Sequence, residues 1–287
     1  MDAELLRRWE KIWEVTWAGG KNTLKYFQRE DIGYERKSDK SPVTVADRET
    51  EQLMRGIIQQ MFPEDSVLGE EFGSIDGTSG YRWIMDPIDG TKAFIGGVPL
   101  YGTMLGLEWE GRCIAGAVAI PAIGEGIYAC EGQGAWHIKD AHVQHCHVSE
   151  SAVKNGDQAL PIRAKVSCVD SLANSILAAA EPRTFQQRDE LATLMELDKR
   201  VYVSRNWGDC YGYLLVATGR VEVMIDPIMS VWDAAAVQPI LTESGGTFTD
   251  WNGESTIYNN EGLATNGKVL DEVLAITKAA KPYQVRA

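Results

Sequence analysis

The chain has 287 residues, 44% apolar and 24% charged, an ordinary globular composition with enough length to bury a large core in one or two domains. A formal net charge of −13 argues against nucleic-acid binding through general basicity, and no apolar run reaches membrane-spanning length. Five cysteines (Cys113, Cys130, Cys146, Cys168, Cys210) are odd in number and lack CxxC spacing, so they read as reduced thiols of a cytoplasmic protein rather than as a disulfide framework.

The charged start MDAELLRRWEKIW lacks the apolar core and cleavage site of a signal peptide. Residues 3–28 read as a helix, because Leu5, Trp9, Ile12, Trp13 and Trp17 recur at helical spacing as a core stripe; Gly19-Gly20 is expected to bend it. Ser41-Pro42-Val43-Thr44 opens a second helix with Leu53, Met54, Ile57, Ile58 and Met61 as its apolar face, stopped by Pro63. From Ser66 the pattern turns to short strands and glycine turns: SVLGEEFG, YRWIMDPIDG, YGTMLGLEWEG, CIAGAVAIP, GEGIYACEG and GAWHIKD. This is a meander of strands beside two helices, hence α+β.

From about Ser149 strands and helices alternate. SILAAAEP, VYVSRN, VEVMID, GGTFTDW and GLATN read as strands; RDELATLMELDK, DCYGYLLVATG, WDAAAVQPILTESG (with Pro239 inside it) and KVLDEVLAITKAA read as helices. The second half is therefore α/β. The boundary falls near residues 146–150, giving an N-terminal half at 1–148 and a C-terminal half at 149–287. All four histidines (His137, His142, His145, His147) lie within eleven residues, together with Cys146, and such side chains can bind zinc. The stretch WHIKD-AHVQHCHVS reads instead as an exposed hairpin, with no zinc-finger or helical HxxxH spacing.

Three acidic loci each end or open an element after apolar residues. WIMDPIDGTKAF, residues 83–94, carries Asp86 and Asp89 at a strand end; Gly69-Glu70-Glu71 follows Val67-Leu68; Val231-Trp232-Asp233 opens a helix. Taken alone, Asp before Pro and Asp before Gly are turn residues. Taken together, the acids can converge as hard oxygen ligands for Mg²⁺, which prefers oxygen at about 2.0–2.1 Å. Pro87 biases Asp86 towards extended geometry, so Asp86, the Ile88 carbonyl and Asp89 can face one or two ions. A helix starting at Gly90-Thr91 would add an anion site beside them. With no nucleophilic Cys or Ser motif, this combination points to hydrolysis of a phosphate ester by metal-activated water.

WIMDPIDGTKAF resembles the first signature of the inositol monophosphatase superfamily of Mg²⁺-dependent, lithium-sensitive phosphatases, and WDAAAVQPILTESGG at 232–246 resembles its second. Gly69-Glu70-Glu71 and Thr44-x-x-Asp47 stand where that family has them, and the similarity spans nearly the whole chain. The resemblance implies a layered αβαβα sandwich of the inositol monophosphatase/fructose-1,6-bisphosphatase type, a homodimer, and two or three Mg²⁺ ions as cofactor. It implies Glu70, Asp86, the Ile88 carbonyl, Asp89 and Asp233 as metal ligands, Gly90 and Thr91 as phosphate-binding, and Asp47 and Thr91, with Glu70, as catalytic. Thr44-x-x-Asp47 also reads as a capping box. Glu71 reads as a supporting or surface acid and Asp39 as a surface residue, in a loop resembling the family's lid, where Lys37 and Ser38 can approach the site.

The substrate is expected to be a small phosphate monoester, with neither nucleic acid nor membrane as partner. RNWGDCYGYLLVATG, residues 205–219, carries Asp209, and VMIDPIMSVWD carries Asp226 seven residues before Asp233. Together with Asp89, these acids would face the leaving group, and an ammonium would bind them more strongly than a neutral polyol. DPIDGTKAFIGGVPLYGT and NWGDCYGYLLVATG most resemble the histidinol-phosphate phosphatases of the superfamily, enzymes of histidine biosynthesis. Asp209 has a second reading as the N-cap of the following helix. The alternatives are an inositol-1-phosphatase or broad sugar-phosphate phosphatase, a fructose-1,6-bisphosphatase, for which no basic motif for a second phosphate is evident, and a non-catalytic binding protein.

Overall fold

The computed structural model describes residues 3–29, 33–36, 42–140 and 161–279. Lys37, Ser38, Asp39, His142, His145, Cys146, His147 and the expected boundary at 146–150 lie outside the described residues. Two helices open the chain, α1 (Ala3–Thr23) and α2 (Val45–Met61). The short strands β1 (Tyr34–Arg36) and β2 (Pro42–Thr44) pair antiparallel between them. The first helix stops at Thr23, and residues 24–28 form turns rather than a last helical turn. It runs through Gly19-Gly20 without ending there, because these glycines serve packing: a Cβ on Gly19 would sit 2.6 Å from Met54 Sδ, so its absence lets α1 approach α2.

The first sheet holds eight strands: β3 (Ser66–Gly69), β4 (Gly73–Ile75), β5 (Tyr81–Asp89), β6 (Gly102–Trp109), β7 (Arg112–Ile120), β8 (Glu125–Cys130), β9 (Gly134–Ile138) and β10 (Ile162–Arg163). Their order is β10-β9-β8-β7-β6-β5-β3-β4, antiparallel except for the parallel β3–β5 pair. Of the expected meander, β5 to β9 run as neighbouring antiparallel strands, whereas SVLGEEFG, which supplies β3, pairs parallel to β5. The expected hairpin WHIKD-AHVQHCHVS extends beyond Asp140 outside the described residues; within them, Trp136 and His137 of β9 pair with Arg163 and Ile162 of β10. His137 is buried, its Nε2 2.6 Å from Glu125 Oε1, rather than exposed.

The second sheet has the order β12-β11-β13-β15-β14, from β11 (Ile176–Ala179), β12 (Val203–Arg205), β13 (Val223–Asp226), β14 (Thr247–Thr249) and β15 (Gly262–Thr265). Helices α4 (Pro182–Arg188), α5 (Leu191–Arg200), α6 (Cys210–Ala217), α7 (Val231–Ala234), α8 (Val237–Glu243) and α9 (Leu270–Thr277) complete the chain. Ile12, Trp13, Met54 and Ile58 of α1 and α2 meet Trp83, Met85, Leu105 and Ala117 on one face of the first sheet. On its other face Ile84, Met104 and Val118 meet α6 and α8 through Leu214, Val237 and Ile240, which also reach Met224, Phe248 and Ala264 of the second sheet. Phe185, Leu197 and Val273 of α4, α5 and α9 cover the far side against Leu177, Ile225 and Leu263. The layers are therefore αβαβα, as the resemblance implied. Among the described residues, no helix is long and apolar enough to cross a membrane.

The helix expected over WDAAAVQPILTESG is two helices. Pro239 has no N–H to give the Ala235 carbonyl, and the helix breaks one turn earlier, at Ala235-Ala236. The break is seated on glycines: a Cβ on Gly116 of β7 would lie 2.1 Å from the Ala236 carbonyl oxygen, and one on Gly106 of β6 2.7 Å from Ala235. Strands β1, β2, β4 and β10, each three residues or fewer, and helix α4 were absent from the sequence reading, since such short segments carry no periodicity.

Candidate active site

The DPID stretch is where β5 meets a helix. Asp86 pairs with Met104 and Asp89 with Gly102, so three steps along β5 match two along β6, a bulge centred on Pro87 and Ile88. Pro87 has no donor for the ladder, and its carbonyl accepts from Thr103 Oγ1 at 2.8 Å. In a regular strand, residues three apart point to opposite faces. The bulge removes that alternation, and carboxylate oxygens of Asp86, Asp89 and Asp233 lie within 4.8 Å of one another. Asp233 comes from the N-terminus of α7, where its Oδ2 accepts from the Ser230 N–H at 2.8 Å in a capping box. Glu70 stands on the turn after β3, beside β5 through its N–H to the Met85 carbonyl at 3.3 Å, and lines the same cavity.

That cavity, about 550 Å³, is also lined by Ile88, Gly90, Thr91, Asp209 and Asp226. Gly90 has φ +80 and precedes the short helix α3 (Thr91–Ile95); a Cβ there would come within 2.9 Å of Asp209 Oδ2. Thr91 Oγ1 donates to the Ile88 carbonyl at 3.1 Å and faces Asp47 Oδ1 at 3.4 Å. Asp47 is fully buried at the start of α2, its Oδ2 accepting from the Thr44 N–H at 2.7 Å and the Thr44 hydroxyl at 2.6 Å. The capping box is present and uses one oxygen of Asp47, which leaves the other facing Thr91.

Asp209 precedes α6 in the N-cap position, yet its side chain makes no capping hydrogen bond, which removes the cap as its explanation. It faces the cavity instead. Asp226, at the end of β13, accepts from Tyr213 Oη at 2.9 Å, and Trp251 Nε1 donates to its carbonyl at 3.2 Å. The site thus draws on both sheets and both halves of the chain.

Its electrostatics are those of crowded acids. Burial, then Glu70, Asp89 and Asp233, raise Asp86 well above the usual carboxylate range; burial, then Asp209 and Asp233, do the same for Asp89, against the Cys210 N–H bond at 2.6 Å. Burial takes Asp233 to about 7, against the Ser230 bond, and Asp226 to about 8, with Asp209 next in effect. Asp47 is pushed by burial to about 6 despite the Thr44 bonds. Such a cluster is satisfied by protons or by cations, and all-oxygen donors suit a hard divalent ion such as Mg²⁺.

These folded values lie above the unfolded carboxylate value of about 3.9, so the folded chain holds more protons, and the contribution is complete below about pH 4. It is lost as the pH rises through about 7 for Asp233 and about 8 for Asp226. The melting temperature of chelator-treated protein should fall between pH 5 and 8, and added Mg²⁺ should raise it more at pH 8 than at pH 6. Equal shifts at both pH values in a thermal-shift series would refute the crowding.

The sequence reading missed several cavity residues: Lys92, Glu181, Asn206, Cys210 and Tyr213. Glu181 ends the apolar run of SILAAAEP, the same signal that marked Glu70 and Asp86, and it pairs with Lys92 across the cavity mouth. Tyr213 and Cys210 gave no signal, because both lie within an apolar helix.

The profile of the inositol monophosphatase family matches residues 8–281. The chain is 39% identical to a histidinol-phosphatase of Chlorobaculum parvum over 88% of this chain and 89% of that one. It is 34% identical to a histidinol-phosphatase of Streptomyces coelicolor, over 88% and 90%. Among solved structures, the Thermotoga maritima IMPase superposes with a TM-score of 0.77 at 28% identity, covering 93% of this chain and 94% of that one.

Proposed function

The chain belongs to the inositol monophosphatase family and is a phosphomonoesterase, and we propose that it hydrolyses L-histidinol phosphate to L-histidinol and phosphate in histidine biosynthesis, with Mg²⁺. The observation that carries the substrate assignment is the acidic wall of Asp209 and Asp226 lining the same cavity as the Asp86–Asp89–Asp233 cluster. Both acids are raised chiefly by burial, and a cationic leaving group placed beside them relieves that cost. The relatives named histidinol-phosphatase support the same reading.

In this reading Glu70, Asp86, the Ile88 carbonyl, Asp89 and Asp233 hold two or three Mg²⁺ ions. When bound, the ions supply Lewis-acid polarisation of the phosphoryl group and counter-charge for the leaving oxygen. Gly90 and Thr91 seat the phosphate at the first turn of α3. Thr91 orients the attacking water and Asp47 takes its proton; a carboxylate near pH 6 is suited to act as a base at neutral pH. Asp89 and Asp209 flank the leaving alcohol, with Asp226 behind them. A cytoplasmic homodimer belongs to the same proposal.

Phosphate release from histidinol phosphate and myo-inositol 1-phosphate, with and without Mg²⁺, tests it. Histidinol phosphate should be preferred, and only with Mg²⁺. Asp209→Ala should lower kcat/KM for histidinol phosphate by about 10- to 100-fold, the scale of one lost charge-assisted contact, and leave the inositol ester within about threefold. Equal losses on both esters would remove Asp209 from substrate recognition.

A further inference from the structure

We propose that Glu51 is a positioning residue for the metal site, holding the turn that presents Glu70. This rests on the reading of Glu70 as a metal ligand. Glu51 is fully buried on α2, outside the cavity lining. Its carboxylate is nevertheless fully engaged with the turn that follows β3. Oε2 accepts the Glu71 N–H at 2.7 Å, and Oε1 accepts the Phe72 N–H at 3.1 Å. Arg55, one helical turn on, donates to Oε1 through Nε at 2.7 Å and to the Gly73 carbonyl through Nη2. Two side chains of one helix thus hold three consecutive residues immediately after Glu70.

The strand end is shaped to admit this carboxylate. A Cβ on Gly69 would lie 2.2 Å from Glu51 Oε1, so only glycine lets the acid reach the amides behind it. On the strand side, the Glu70 N–H donates to the Met85 carbonyl at 3.3 Å, one residue before Asp86. Glu70 is therefore fixed on one side by β5 and on the other by Glu51. Asp47, Glu51 and Arg55 recur every four residues, which puts them on one face of α2. That single face carries the residue read as the base and the clamp on the Glu70 turn, so one rigid element sets both relative to the DPID bulge.

A buried acid could serve stability alone, and the protein contains a matched comparison. Asp65 is equally enclosed, 4% exposed, and accepts from Arg8 at 2.7 and 2.8 Å, Ser79 at 2.6 Å and Trp83 Nε1 at 2.8 Å. None of its partners lines the cavity. Glutamine at position 51 keeps the volume but offers one carbonyl where two oxygens now meet two amides and a guanidinium.

The experiment compares wild type, Glu51→Gln, Asp65→Asn and Glu70→Gln by calorimetric Mg²⁺ titration without substrate, amide hydrogen exchange over residues 68–74, and melting temperature. Glu51→Gln is expected to weaken Mg²⁺ binding by about 10- to 100-fold, the range for residues supporting a ligand, and to speed exchange at Glu71 and Phe72. Asp65→Asn should lower the melting temperature and leave Mg²⁺ affinity within about threefold. Glu51→Gln with near-wild-type affinity while Glu70→Gln weakens it overturns the inference and spares the ligand. Equal weakening in Asp65→Asn also overturns it, since general destabilisation would then explain both. Unchanged affinity in Glu70→Gln overturns the ligand reading and the inference with it. Should Glu51→Gln not fold, Glu51→Asp, which keeps the charge for Arg55 but retracts it by one methylene, is expected to show the same affinity and exchange changes, and wild-type values would refute the proposal.

Discussion

Replacing Asp86 with asparagine is expected to reduce kcat/KM for the phosphate ester by about 10³-fold, which corresponds to about 4 kcal/mol of lost transition-state stabilisation. Asparagine preserves the shape and can still accept the Ile88 N–H, which Asp86 Oδ1 binds at 2.9 Å, so the DPID bulge should survive. What it removes is one negative charge from the point where Asp89, Asp233 and Glu70 converge. Asp86 is the most deeply buried member of the close trio, and its raised affinity for a proton records the cost of that convergence. The same substitution should therefore raise the melting temperature of chelator-treated protein while abolishing most activity. This pairing distinguishes a functional charge from a structural one. Activity within tenfold of wild type, or a lowered metal-free melting temperature, would show that Asp86 acts as a turn residue instead.

The second large effect belongs to Asp47. Asp47→Asn should lower kcat by about 10²–10⁴-fold, the usual contribution of a positioned base, and change KM little. The fold should persist, because the Asn carbonyl can still accept from Thr44 and a weakened cap costs only about 1 kcal/mol. The pH profile offers a separate reading. Asp47 is held up to about 6 by burial, and a base works only when deprotonated, so wild-type activity should rise with pH up to about 6, or at lower pH once neighbouring cations are bound. The variant should lose that acidic limb. A Thr91→Ala protein with an intact limb and reduced kcat would be consistent with Thr91 orienting the water and Asp47 taking the proton. An unaltered limb in Asp47→Asn would assign the base to another group.

Much of the fold was legible where a period ran long enough to be seen. The tryptophan stripe of α1, the apolar face of α2 and the strands of the meander all repeat over many residues. Their outcome depends on which face is apolar, a property each segment carries by itself. Short elements were invisible for the converse reason: β1, β2, β4 and β10 are defined by their partners, not by their own pattern. The helix around Pro239 shows a local rule outweighed in reading by an apolar run. The missing N–H was in view, but the seat that receives the break, Gly106 and Gly116, lies more than a hundred residues earlier.

The residues of the site divide in the same way. By itself the sequence determined the chemistry on offer: carboxylates at element ends, a proline between two of them, a glycine and a threonine at a helix start. Residue identity and local backbone preference are enough for that, because Pro87 fixes its own φ and Gly90 accepts the left-handed φ of +80 that other residues resist. Only the tertiary structure decided which acids meet. The β5 bulge brings Asp86 and Asp89 to one side, α7 delivers Asp233 from almost 150 residues later, and the clamp from Glu51 presents the Glu70 turn. It also decided that Asp209 faces the cavity rather than capping α6, and that His137 is enclosed with Glu125. Convergence of like charges opposes folding, so no local preference encodes it; it exists because the apolar layers on both sides of the first sheet hold the strand ends where they are.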